Sequence, residues 1–290
     1  MQKRARSTLV TDRDREILAF AAEHRIVLAG QVQTLLGVSK PVAYHRLGGL
    51  ETWGLLKYSR ILHGQPGWYQ ITRPGLALIG SDLPVPRIDL RCYRHDIGVA
   101  WAWLAAARGA FGHVERMVSE REMRSRDAVA AAAERAGAER GEVGLDIDIQ
   151  GEARSPFGVY LGGVGPRGQI RLHYPDLLLV GNRGERVAIE LELSAKGGRR
   201  LETILAGYGA EPSIAAVLYL TEKPQIAREV TGAAARLGIS DLIHIQPVAW
   251  DSPTPRAPTP TRGRPSRAIG PSSATNPPAP RRDGQEALTR

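Results

Sequence analysis

Apolar residues recur at helical spacing three times within the first fifty positions. Ile17, Leu18, Ala21 and Ala22 form one stripe, and Thr11 with Asp14 three residues on has the pattern of a capping box at its start. Val32, Leu35 and Leu36 form a second, shorter stripe, which Gly37-Val38-Ser39 ends in a tight turn. A third helix is predicted from near Ser39, with Pro41 in its first turn, where a missing N–H costs nothing. Ala43, Leu47 and Leu50 fall at i, i+4 and i+7 and make its buried face. Lys40, Tyr44 and His45 are thereby left outward near its N-terminal end, with Arg46 at the margin. The period then drops to two. Leu55 to Leu62 and Trp68 to Thr72 read as strands joined by His63-Gly64-Gln65-Pro66-Gly67, and Thr72 opens a short closing helix through Leu78. Three helices and a hairpin in this order are the rhythm of a winged helix-turn-helix over residues 8–80. The N-terminal end of the third helix in that fold meets base edges and phosphates. Lys40, Tyr44, His45 and Arg46 are therefore candidate DNA contacts, and Lys57 and Arg60 add positive charge to the wing.

SDLPVPRIDL reads as an extended linker, placed at 81–93, and a second unit is expected over 94–250. Its first helix carries Ile97, Ala100, Trp101 and Leu104 on one face, a face that could also serve a homodimer. Val114 to Ser119 follows as a strand. Arg126 to Gly144, rich in Ala, Glu, Arg and Gly without a clear period, reads as a solvated helix or part of a flexible insertion over about 126–169. Beyond it come strands at Leu177–Val180 and Arg186–Leu193, a helix from about Gly198 to Tyr208, and a buried strand at Ala215–Leu220. A helix at Gln225–Leu237 and a strand near Leu242–Ile245 complete the pattern. Strands interleaved with helices make an α/β sandwich, so the whole chain is read as mixed α/β.

Charge sharpens this division. The 290 residues carry 39 Lys and Arg against 30 Asp and Glu, a net +9. The surplus lies at the ends: +6 in residues 1–80, −1 in 81–250 and +4 in 251–290. A compact basic unit suits a polyanion partner, because each cation placed on a phosphate releases a condensed counterion. The last segment holds nine prolines and few aliphatic residues, too little apolar surface to offset its ordering entropy, and is expected to be a disordered basic tail. One cysteine excludes an internal disulfide. Apolar runs fall far short of the roughly 20 residues that span a bilayer, and the charged start lacks the pattern of a secretory signal, so a soluble cytoplasmic protein with no membrane partner is expected.

The candidate chemistry lies in HYPDLLLVGNRGERVAIELELSAKGGRR. Asp176 opens one strand, and Glu190 and Glu192 sit two apart on the next, so both glutamates share a face and can converge with Asp176 across the ladder. Three carboxylates on one face repel unless cations compensate them. Two solutions are open: Mg²⁺ or Mn²⁺ held by Asp176 and Glu190, which would orient water on a scissile phosphate, or basic side chains such as Lys196, Arg199 and Arg200.

Pro175-Asp176 followed by Glu190-Leu191-Glu192 resembles the PD-(D/E)XK nuclease-like core. The resemblance implies that Asp176 and Glu190 bind metal and that a third residue, usually lysine, helps to activate water. Glu192 stands at the lysine position here, so a catalytic set would comprise Asp176, Glu190, Glu192 and Lys196. Over residues 8–247 the TDRDREIL start, GVS turn, HGQPGWY wing, SDLPVPRIDLR with RHD, PDLLLV and AIELELS resemble the replication-relaxation family of actinobacterial plasmids and mobile elements. That resemblance implies double-stranded DNA as a partner, with other replication or transfer proteins, in plasmid replication or mobilisation. It also places Asp96, after His95, where nuclease-like cores carry an acidic residue on their first helix. A metal-dependent endonuclease and a winged-helix transcriptional regulator are the alternatives.

Overall fold

The computed structural model describes residues 10–139, 157–165 and 170–249. The tail at 251–290, and 140–156 and 166–169 of the expected insertion, lie outside the described residues.

The N-terminal unit is a winged helix. α1 (Asp12–Glu23) begins at Thr11, whose hydroxyl accepts from Asp14 N while the Asp14 carboxylate accepts from Thr11 N at 3.0 Å, a reciprocal cap. α2 (Ala29–Leu36) ends at Gly37, whose φ of 62° makes the turn into α3 (Lys40–Thr52). Strands β1 (Leu56–Ser59) and β2 (Trp68–Ile71) pair antiparallel, Ser59 opposite Trp68, and α4 (Arg73–Leu78) closes the unit. Ile17, Leu18, Val32, Ala43, Leu47, Leu50 and Ile71 are its buried centre.

The second half is a five-stranded mixed sheet in the order β3-β6-β7-β8-β9, built from β3 (Arg116–Ser119), β6 (Leu177–Val180), β7 (Arg186–Leu191), β8 (Ile214–Thr221) and β9 (Ile243–Pro247). β6 runs antiparallel to both β3 and β7, whereas β7, β8 and β9 run parallel to one another. Parallel strands need crossovers, supplied by α7 (Gly198–Gly209) and α8 (Pro224–Leu237). Alternation along the strands sorts the two faces. Leu178, Ala188 and Val217 pack beneath α7 and α8, while Leu177, Leu179, Ile189 and Leu191 pack against α5 (Tyr93–Ala107). Helices on both faces of one mixed sheet make the α/β sandwich expected from the interleaving of strands and helices.

Three features depart from the sequence reading. Residues 81–93 are not a loose connection: the Gln70 amide donates to Pro86 O at 2.5 Å, the Arg121 guanidinium donates to Pro84 O, and a short 3₁₀ turn (Leu90–Cys92) leads directly into α5. From Ile97 to Ala107 α5 is apolar all round because both units use it. Ala100, Trp101 and Leu104 belong to the winged-helix core, Ala102 and Ala106 to the sheet core. The Ile97 and Trp101 face expected for a homodimer is thus covered within the chain, and Trp101 is 5% exposed. The expected insertion is ordered at both ends. Its first residues continue α6 (Glu120–Glu139), and β4 (Val159–Val164) pairs with β5 (Ile170–His173) in a hairpin against α7.

Candidate functional site

Two sets of polar residues stand out, one on the surface of the winged helix and one buried at the carboxyl end of the sheet. On α3, burial of Ala43, Leu47 and Leu50 turns Lys40, Val42, Tyr44 and His45 to solvent. The Lys40 ammonium lies 5.9 Å from the centre of the Tyr44 ring, a cation–π distance that holds the two side chains together on the exposed face. Lys57 and Arg60 are exposed on β1 and the wing that follows it. Arg46 is placed differently. Its guanidinium lies 2.9 Å from Asp14 Oδ1 and 3.0 Å from Thr11 Oγ1, so it braces α3 against the cap of α1. Burial works to raise the Asp14 carboxyl, but the hydrogen bonds from Thr11 and the Arg46 charge outweigh it and hold the group below its ordinary value.

The buried set forms two networks. In the first, Leu191 N donates to Asp176 Oδ2 at 2.8 Å and His95 Nε2 lies 3.1 Å from the same oxygen. Asp176 pushes His95 up to about 11, overcoming burial with help from Asp96, so the imidazole is a cation whose Nε2–H donates to Asp176. Asp96 Oδ1 lies 3.7 Å from His95 Nδ1 and 3.5 Å from Arg25, which also meets Glu120 at 2.6 Å. Arg25 follows α1, so this network joins the winged helix to the sheet through a polar cavity of about 20 Å³ lined by Arg25, Asp96, Ser119, Glu120 and Asp176 among others.

The second network holds the glutamate pair. Glu190 and Glu192 are 2% and 5% exposed and share a face, as their spacing predicts, while Leu191 between them packs toward α5. Glu190 Oε1 lies 2.6 Å from His173 Nε2 and accepts a short hydrogen bond from the Tyr208 hydroxyl. Lys196 Nζ lies 2.5 Å from Glu192 and 3.9 Å from Glu190. Burial works to raise Glu190, but the His173 and Lys196 charges and the two hydrogen bonds hold it below its ordinary value. Burial would lower Lys196, and the two glutamates more than reverse that. Burial and the nearby Glu190 charge push the Tyr208 phenol well up, so it stays a donor.

These contacts give each member of the cluster a partner within the chain. Asp176, Glu190 and Glu192 face His95, His173 and Lys196, and the Glu192 carboxylate pairs with an ammonium four residues later. Arg199 and Arg200, considered as neutralising partners, are exposed and pair with none of the three. Among the described residues no three His, Cys, Asp or Glu side chains are arranged to hold a metal ion. Asp96 meets Arg25, Asp176 meets His95, and Glu190 meets His173, Tyr208 and Lys196. Arg25, Glu120 and Tyr208 carry no local pattern that marks them. Topology alone brings them here.

No family model matches the chain, and no curated protein matches it. Among solved structures it is similar to the crystal structure of a transcriptional regulator from Thermotoga maritima, at 16% identity over 47% of this chain and 80% of that one, with a TM-score of 0.22. It is also similar to PigF with SAH, at 13% identity over 82% of this chain and 57% of that one, with a TM-score of 0.17. At these scores neither likeness extends a function to this chain. No helix among the described residues is long and apolar enough to cross a membrane.

Proposed function

We propose that this chain is a double-stranded DNA-binding protein whose winged helix docks α3 in the major groove, with the α/β unit acting as a scaffold or partner platform. The observation that carries the reading is the exposed Lys40, Tyr44 and His45 at the N-terminal end of α3 beside a wing bearing Lys57 and Arg60. The ordered series of motifs resembling replication-relaxation proteins supports a plasmid or other mobile element as the target and a role in its replication or mobilisation, with other replication or transfer proteins as partners. Gel-shift titration of the full chain against plasmid-origin and unrelated duplexes at two salt concentrations tests this. Binding that weakens steeply with salt is expected, and no binding at low salt would refute it.

The alternative of a Mg²⁺- or Mn²⁺-dependent endonuclease rests on the residue types at 176 and 190. Supercoiled plasmid with either ion decides it: nicking by the protein but not by Asp176→Ala would establish the enzyme. A transcriptional role would show as a bound site beside a promoter.

A further inference from the structure

The carboxyl end of the sheet carries surface cations that the buried networks do not use. β7 and β8 are adjacent and parallel, so the residues that follow them, leading into α7 and α8, emerge at the same end. Arg199 and Arg200 stand in the first turn of α7 and Lys223 immediately precedes α8. All three are exposed, and among the described residues none has an acidic partner. The nearby surface acids are otherwise engaged: Glu222 lies 3.0 Å from Arg94 and Asp89 lies 2.7 Å from Arg91.

This end of the sheet is continuous with the wing. The Tyr93 hydroxyl, at the start of α5, donates to Pro66 O of the wing loop at 2.9 Å, and its ring lies 5.4 Å from that of Trp68. Trp68 pairs with Ser59, so Arg60 comes next along the hairpin. Arg94 follows Tyr93 on α5 and meets Glu222, the neighbour of Lys223. The buried Tyr93 therefore ties the wing, with its exposed Arg60, to the start of α5, where the exposed Arg94 reaches the neighbour of the exposed Lys223, and Arg199 and Arg200 stand on the helix that follows the adjoining strand.

We infer that the carboxyl end of the sheet is a second phosphate-contact surface, over which duplex DNA held by the winged helix continues from the wing onto Lys223, Arg199 and Arg200. This rests on the DNA-binding reading and extends it, since it gives the α/β unit a contact role and lengthens the site. Unpaired cations that extend the charge of Lys57 and Arg60 beyond the wing fit the same polyanion as the wing does. The contacts are to the backbone and carry affinity without base identity.

The test compares the full chain with Arg199→Ala/Arg200→Ala/Lys223→Ala on a duplex of about 12 base pairs, little more than the one helical turn that a single reading unit covers, and on one of about 30. On the long duplex the slope of log affinity against log salt is expected to become shallower in the variant by about 2 to 3, at roughly 0.9 per phosphate lost. On the short duplex the two proteins are expected to bind alike. Equal slopes on the long duplex overturn the second surface while leaving the winged-helix reading intact. Failure of the wild type to bind either duplex at low salt overturns both. The three positions are exposed, and matching thermal unfolding of the two proteins checks that the comparison is one of contacts.

Discussion

Arg25 Nη1 lies 3.5 Å from Asp96 Oδ1, so a residue that follows the first helix of the winged unit compensates an almost fully buried carboxylate on the helix that underlies the sheet. The same guanidinium meets Glu120 at 2.6 Å. Breaking a buried ion pair by removing one member costs about 3–5 kcal/mol, because the other charge stays buried without its partner. Arg25 is 31% exposed, so Arg25→Ala is expected to fall at the low end of that range. Urea denaturation measures it. An unchanged midpoint would show that Asp96 and Glu120 do not depend on this cation.

His95 gives a second expectation with a definite sign. Its folded value is raised from 6.5 to about 11 by Asp176, so its contribution to stability is fully present below pH 6.5 and is lost as pH rises through 11. Wild-type stability should therefore fall on the alkaline side across that window. His95→Gln should lose most of that slope. Denaturation midpoints at several pH values make the comparison.

His24 behaves in the opposite way. It is buried against Phe20 and Trp103, and burial, reinforced by Arg121 and Arg25, lowers it from 6.5 to about 3. It stays neutral in the fold and is protonated when unfolded, so stability is full above pH 6.5 and falls as the pH drops toward 3. His24→Phe, which keeps the ring, should blunt the acid side of the profile in the same denaturation series.

Gly75 in α4 lies against the hairpin. A methyl group there would run into the carbonyl oxygen of Leu55, which cannot move without its strand. Gly75→Ala is expected to cost about 1–3 kcal/mol, as overpacking does, seen as a lowered melting temperature. A neutral result would mean that α4 shifts freely.

On the DNA-binding reading, Lys57→Ala should weaken binding to all duplexes alike and make the salt dependence shallower by about one, the signature of a single phosphate contact. Arg46→Ala should act mainly on stability, since its guanidinium is engaged with Asp14 and Thr11. Titrations at several salt concentrations, paired with melting curves, separate the two.

The winged helix was legible because each of its elements carries its own period and its own stop: Thr11 and Asp14 at one start, Gly37 at one end, Pro41 inside another start. The two sheet faces were legible for the same reason, as alternation put Glu190 and Glu192 together. Longer-range facts were not. The Ala- and Arg-rich stretch after Glu120 has no clear period, yet it continues a long helix because its residue types favour one. The β4–β5 hairpin is interrupted by Gly162 and Gly163, both at positive φ, which breaks the alternation that would announce strands. Spacing placed Asp176 beside the glutamates but could not choose their partners. That choice depended on His173 from one strand, Tyr208 from a helix and Lys196 from a loop, which meet only in the folded chain.

The double use of α5 bears on how such a protein can be taken apart or recombined. A cut at residue 80 would strip the winged helix of Ala100, Trp101 and Leu104, and would leave Gln31, whose buried amide donates to Ile97 O at 2.9 Å, facing water. The natural seam for grafting this winged unit onto another protein therefore falls after Ala107. Any ancestor that acquired it as a cassette had to acquire the first helix of the sheet domain with it, or rebuild the surface on which that helix rests.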